Sequence, residues 1–148
     1  MIVGYSFGAW DLLHVGHLNQ LEQAKLICDF LIVGVFTDEV VAGFKREPII
    51  PFEQRMRLVA GLKCVNMVVA QYSRDPTDVL KEMKPDILFH GNDWSEIPGA
   101  EYMESTGGRV ASPAYFEGVS TSEIIKKIQE RCCEEDRCDC SCGVEGRG

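Results

Sequence analysis

Apolar and polar positions follow two rhythms along the chain. Ile2–Phe7 is a short apolar run ended by Gly8 and reads as a strand. From Val15 to Asp29, apolar residues recur at Leu18, Leu21, Ala24, Leu26 and Ile27, near a 3.6-residue period, which predicts a helix. Phe30–Phe36 is continuously apolar, as a strand covered on both faces should be. Thr37–Ile50 is rich in charge and glycine and is expected to be a loop. Pro51 suits a first helical position, and Phe52–Leu62 continues as helix with Met56, Val59 and Ala60 on one side. Asn66–Ala70 predicts a third strand. Asp75-Pro76 opens a helix that runs through Met83 and is closed by Pro85. Asp86–His90 predicts a fourth strand. A helix near Gly99–Thr106 stops at Gly107-Gly108, and Arg109–Ala111 starts a short fifth strand. Ser120 or Thr121 caps a last helix to about Glu130, with Glu123 in its first turn.

Alternating units of this size place the chain in the α/β class. The expected architecture is a single doubly wound, parallel, five-stranded sheet of Rossmann-like type, with helices on both faces. Such sheets bind ligands beyond the carboxyl ends of their strands, at the switch point. That rule selects Phe7–His17, Thr37–Ile50, His90–Trp94 and Tyr115–Thr121 as site loops.

Composition narrows the function. The 148 residues carry a net charge of −8, and the acidic excess belongs to the body as well as the tail. A protein that neutralises many phosphates of a nucleic acid needs a basic face, so nucleic acid is not an expected partner. No apolar run approaches the roughly 18–20 residues of a membrane span, and the first residues lack the pattern of a signal peptide. The expected location is cytoplasmic. Of the seven cysteines, Cys28 and Cys64 lie in apolar segments and read as core residues. Cys132, Cys133, Cys138, Cys140 and Cys142 crowd an acidic stretch. Residues 1–130 thus read as one domain, and Arg131–Gly148 as a cysteine-rich tail too poor in apolar residues to fold alone. A thiol site for a soft metal is the weaker reading of that tail, because no paired C-x₂-C motif and no following histidine is present.

The densest chemical signal is Gly8-Ala9-Trp10-Asp11-Leu12-Leu13-His14-Val15-Gly16-His17. It spans the end of the first strand and the start of the first helix. A helix start offers unpaired N–H groups and a positive dipole end, both suited to phosphate. Imidazoles three residues apart on that turn face one side and add donors, and Gly16 lets a phosphate approach the backbone. Two of the chain's three histidines fall here, at the expected crevice.

This block resembles the H-x-G-H signature of the nucleotidyltransferase superfamily. The resemblance continues in order through residues 1–130. Phe30–Val35 with Thr37-Asp38-Glu39, Ile50-Pro51-Phe52-Glu53-Gln54-Arg55, His90-Gly91-Asn92-Asp93-Trp94 and Glu117-Gly118-Val119-Ser120-Thr121-Ser122 are all similar to segments of glycerol-3-phosphate cytidylyltransferases. A second branch also fits: Gly99-Ala100-Glu101 through Gly107-Gly108-Arg109-Val110 is similar to heptose-phosphate adenylyltransferases. The chain departs from the cytidylyltransferase pattern at Ala9-Trp10 (Thr-Phe), Tyr115-Phe116 (Arg-Thr), Lys63 and Asn66 (Arg and Asp), and Asn92 (Asp).

The resemblance implies nucleotidyl transfer from a nucleoside triphosphate to a small phosphorylated alcohol or sugar, with release of pyrophosphate and Mg²⁺ as cofactor. CTP with glycerol 3-phosphate is the leading pair and ATP with a heptose phosphate the alternative. A non-catalytic, nucleotide-binding regulator is a third reading, motivated by the departures at Ala9, Lys63 and Tyr115-Phe116. The implied catalytic residues are His14 and His17 at the α- and β-phosphates, Lys45 and Arg46 on a closing loop, and Asp11 ordering His14, the acceptor or a hydrated Mg²⁺. No residue is assigned as a direct metal ligand. The nucleotide is expected against Phe7, Gly8, Ala9, Gly16, Arg55, Gly91, Asp93, Ser120 and Thr121. His90 reads as a satisfied core histidine and Trp94 as packing beside the base. Related enzymes are dimers, so a homodimer is expected, through Phe52–Leu62 or Asn66–Arg74.

Overall fold

The computed structural model describes residues 1–91, 96–113 and 118–134. Among them, strands β1 (Val3–Gly8), β2 (Phe30–Phe36), β3 (Met67–Gln71), β4 (Ile87–Phe89) and β5 (Arg109–Ala111) form one sheet in the order β3-β2-β1-β4-β5. Every pairing is parallel. The helices are α1 (Val15–Leu26), α2 (Asp38–Ala42), α3 (Phe52–Ala60), α4 (Thr77–Met83), α5 (Ala100–Ser105) and α6 (Thr121–Glu134). This is the expected α/β sheet. Its order reverses between β1 and β4, so the crevice opens where β1 runs into α1.

Two apolar layers hold the helices to the sheet. On one face Leu21 and Ala24 of α1 and Val59 of α3 pack with Leu31, Val33, Val35, Ile87 and Phe89. On the other, Val41, Leu80 and Met103 from α2, α4 and α5 pack with Tyr5, Phe7, Ile32, Phe36 and Leu88. β2 contributes to both layers, which accounts for its unbroken apolar sequence. Gly34 in its middle is needed for shape, because a Cβ there would overlap the Tyr5 hydroxyl. That hydroxyl donates to Gln71 Oε1 on β3 at 2.5 Å.

Several boundaries differ from expectation. The first helix ends at Leu26 instead of Asp29, because the Asp29 carboxylate accepts the Ile2 N–H at 2.6 Å and fixes the start of β1. Thr37–Ile50 is not all loop: Thr37 Oγ1 accepts the Val40 N–H and caps the short α2. Pro51 stands in extended backbone just before α3 and not inside it, and α3 stops at Ala60 before Gly61. The last helix runs four residues past Glu130, to Glu134, with Arg131 in its last turn facing the negative dipole end. The rest of the tail, from residue 135, lies outside the described residues.

Candidate active site

The turn from β1 into α1 is held in an uncommon backbone shape. Trp10 and Leu12 have φ of 56° and 46°, left-handed values that cost of order 1 kcal/mol or more for side chains other than glycine. Packing fixes the first of them. The Trp10 ring is buried, and its Nε1 donates to the Gly34 carbonyl at 3.0 Å. The same ring meets His17 edge-on, with centroids 5.4 Å apart.

Asp11 answers a puzzle left by the sequence, an acid beside a polyanion site. Its carboxylate is almost fully buried and accepts the backbone N–H groups of Ile49 and Ile50, each at 2.9 Å, and of Leu12 at 3.1 Å. It ties Ile49 and Ile50, at the end of the loop that carries Lys45 and Arg46, to the β1–α1 turn.

His14 and His17 cap α1 reciprocally. His14 Nδ1 accepts the Gly16 N–H at 3.0 Å, and His17 Nδ1 accepts the His14 N–H at 3.3 Å. The rings stack, with centroids 3.8 Å apart and planes 22° from parallel. A nitrogen that accepts carries no proton, so both neutral rings hold their hydrogen on Nε2. Burial lowers the His14 pKa. Burial also pushes His17 down to about 3, helped by the neighbouring His14 and Lys45 and opposed by Asp11. At neutral pH both are uncharged donors at the positive end of a helix with no acid in its first turn. Gly16 is required here for a reason beyond phosphate approach: a Cβ would come within 2.9 Å of His14 Nδ1.

Arg55, expected at the nucleotide, is completely buried. Nε donates to the Ile50 carbonyl at 2.9 Å, Nη1 to Ala9 and Phe36 at 2.6 and 2.8 Å, and Nη2 to Asp38 Oδ1 at 2.7 Å. The guanidinium therefore binds the β1 turn, the end of β2, α2 and Ile50, two residues before α3, to one another. Its donors face three carbonyls of the protein itself and the Asp38 carboxylate. The second oxygen of Asp38 accepts the Phe52 N–H at 3.3 Å. Asp38 was missed in the sequence, although a Thr followed by two acids after a strand is a helix-start signal that pointed to it.

The remaining expected residues distribute as follows. Phe7 is buried among Tyr5, Phe36 and His90, and Gly8 and Ala9 after it are half-buried. His90 is buried, as expected, and its Nδ1 lies 2.7 Å from the Gly91 carbonyl, which requires the proton on Nδ1. Ser120 Oγ accepts the Glu123 N–H at 3.1 Å and is the α6 cap. Thr121 Oγ1 donates to the Asp11 carbonyl at 2.9 Å and brings the α6 start to the β1–α1 turn. Lys45 and Arg46 are exposed on the loop after α2. Asp93, Trp94 and Tyr115-Phe116 lie outside the described residues. Among the described residues no cluster of His, Cys, Asp and Glu suits a metal ion. No described helix is long and apolar enough to cross a membrane.

The sheet order reverses where an imidazole-capped helix begins, which places the site of this α/β domain at the switch point. Residues 5–127 match the family model described as cytidylyltransferase-like, and the chain belongs to that family. It is 40% identical over 130 residues, 85% of its length, to the bifunctional protein HldE of Citrifermentans bemidjiense. It is 36% identical over 137 residues, 90% of its length, to HldE of Geobacter sulfurreducens. The chain spans about a quarter of those relatives, 27% and 28% of their lengths. Among solved structures, the lipopolysaccharide core biosynthesis protein of Thermoplasma volcanium superimposes with a TM-score of 0.71 at 26% identity, covering 79% of this chain and 99% of that one. Pantothenate synthetase of Thermus thermophilus shares the fold, with a TM-score of 0.59 at 14% identity, covering 89% of this chain and 67% of that one.

Proposed function

We propose that this chain transfers an adenylyl group from ATP to the phosphate of a sugar phosphate, of the heptose-phosphate type, and releases pyrophosphate. The nucleotidyl-transfer part rests on one observation: the stacked, reciprocally capping His14 and His17 keep two neutral Nε2–H donors at a helix start. In-line transfer builds negative charge on the α-phosphate and the departing pyrophosphate, and fixed donors stabilise that charge without a protein nucleophile. The choice of ATP and a sugar phosphate over CTP and glycerol 3-phosphate is supported by the relatives named HldE, which side with the branch that Gly99–Val110 resembles.

The β- and γ-phosphates would reach the α6 start, where the first-turn N–H groups have no intrahelical partner. Lys45 and Arg46 would bring positive charge from the opposite side. Mg²⁺ belongs to the reading as a companion of the triphosphate. Asp11 is committed to three N–H groups, so the described residues offer the ion no ready ligand set, and its oxygens would come from phosphate and water.

Pyrophosphate release tests the reading, with ATP or CTP paired in turn with a heptose phosphate or glycerol 3-phosphate. Turnover is expected to be fastest with ATP and the heptose phosphate. Tight nucleotide binding without pyrophosphate from any pair would turn the assignment to a nucleotide-binding regulator.

A further inference from the structure

The two site histidines are not held equally by their own hydrogen bonds. His14 Nδ1 takes the Gly16 N–H at 3.0 Å, whereas the His14 N–H reaches His17 Nδ1 only at 3.3 Å. The outer torsion of a histidine is broad and roughly two-fold, so a long hydrogen bond alone holds the ring weakly. Turning the ring over moves Nδ1 off the cap and puts a carbon where the Nε2–H donor stood.

Trp10 closes off that motion. Its ring stands edge-on to His17, with centroids 5.4 Å apart and planes at 73°, while the His14 ring stacks on His17 at 3.8 Å. The indole is itself held firmly. It is 4% exposed and packs in the apolar layer with Leu21 of α1 and with Val33 and Val35 of β2. Its Nε1 donates to the Gly34 carbonyl of β2 at 3.0 Å. Gly8 leaves room for it, since a Cβ there would stand 3.2 Å from the ring. The left-handed φ of 56° at Trp10 persists because these contacts over-determine it. The phenylalanine of the cytidylyltransferase pattern offers a ring edge at this position but no donor for Gly34. This chain ties the wall beside His17 to the sheet.

We infer that Trp10 is a positioning residue for nucleotidyl transfer: the sheet-anchored indole holds the His17 ring with Nδ1 on the α1 cap and so keeps Nε2–H in place as the donor. The inference rests on the reading of His17 as a transition-state donor, and the effect of Trp10 on transfer runs entirely through that ring.

Amide hydrogen exchange of the full chain, followed by NMR, tests the hold on His17 and needs no turnover. The His14 N–H is capped by His17, and the Gly16 N–H by His14. Trp10→Leu is expected to speed exchange at His14 by about tenfold or more, and at Gly16 by less than about threefold. General loosening of the domain speeds both alike. In pyrophosphate assays, Trp10→Leu should lower kcat by about 10- to 100-fold with the triphosphate KM within about twofold, because the lost interaction belongs to the transition state. Trp10→Phe restores a ring edge and should recover most of both losses. Where Trp10→Leu does not fold, Trp10→Phe carries the test: without the Gly34 anchor, exchange at His14 alone should rise about threefold. Unchanged exchange at His14, or equal acceleration at Gly16, overturns the positioning role. Selective acceleration at His14 with unchanged kcat overturns it too. Selective acceleration in a chain whose parent releases no pyrophosphate keeps the hold on His17 and removes the transfer reading.

Discussion

The imidazole of His17 lies against that of His14, and each ring turns its Nδ1 inward to cap the helix that both residues begin. Capping uses Nδ1 of each ring, and the proposed catalytic role would use Nε2. Substitution to asparagine separates them, because an amide oxygen accepts where Nδ1 did and offers nothing at the Nε2 position. His14→Asn and His17→Asn are expected to lower kcat by about 10²- to 10³-fold with melting temperatures close to the parent. The alanine variants lose the cap too, about 1 kcal/mol, which thermal melts resolve as a shift of a few degrees. Turnover within threefold of the parent in both asparagine variants would dismiss the transition-state role.

His17 also sets a pH dependence. Its native pKa of about 3 lies below the unfolded value near 6.5, so the unfolded chain takes up the proton first as pH falls. The contribution is full above pH 6.5 and is lost on acidification toward pH 3. Melting curves from pH 7 to 4.5 should show the parent losing about 1–2 kcal/mol more than His17→Asn. Parallel losses in the two proteins would place the acid sensitivity elsewhere.

Arg55 is expected to matter through the fold. Arg55→Met leaves the carbonyls of Ala9, Phe36 and Ile50 without their donor and should cost about 2–4 kcal/mol in denaturant unfolding. Arg55→Lys recovers little, since one ammonium does not reproduce the planar set of donors. A ligand-binding Arg55 would give the opposite pattern, an intact melt with weakened nucleotide affinity.

Asp11→Asn places an N–H donor against the N–H of Ile49 or Ile50. The expected result is a loosened 44–50 loop and a kcat reduced at least tenfold, with no recovery when Mg²⁺ is raised. Recovery at high Mg²⁺ would return Asp11 to the metal.

A homodimer is proposed as well. Leu58 on α3 and Met67 and Tyr72 at the outer strand β3 are large exposed apolar side chains, Tyr72 at 79%. Light scattering at micromolar concentration should give twice the chain mass, and Tyr72→Glu should return the monomer. A parent chain that scatters as a monomer removes the proposal.

The sheet and most of its helices were legible because period and burial agree: β2 is apolar throughout, and α1 shows its buried Leu21 and Ala24 at helical spacing. Less legible were features decided by contacts distant in sequence. Nothing near Asp11 announces that it holds residues 49 and 50, and nothing near Arg55 that its partners are Ala9, Phe36 and Asp38. A buried arginine and a ligand-binding one look alike in sequence. Only the fold shows which carbonyls surround it. The two histidines were legible as a pair, but their tautomer followed from the backbone N–H groups that they accept.

The Thr121–Asp11 hydrogen bond joins residues 110 positions apart. Within this domain the β1–α1 turn is therefore made early in synthesis, while the start of α6 that bonds to it follows only when almost the whole domain has been made. The long-range closure is paid for late, after the sheet exists to bring the two ends together. A half-made domain holds both histidines but not yet the Thr121 hydroxyl that reaches the Asp11 carbonyl.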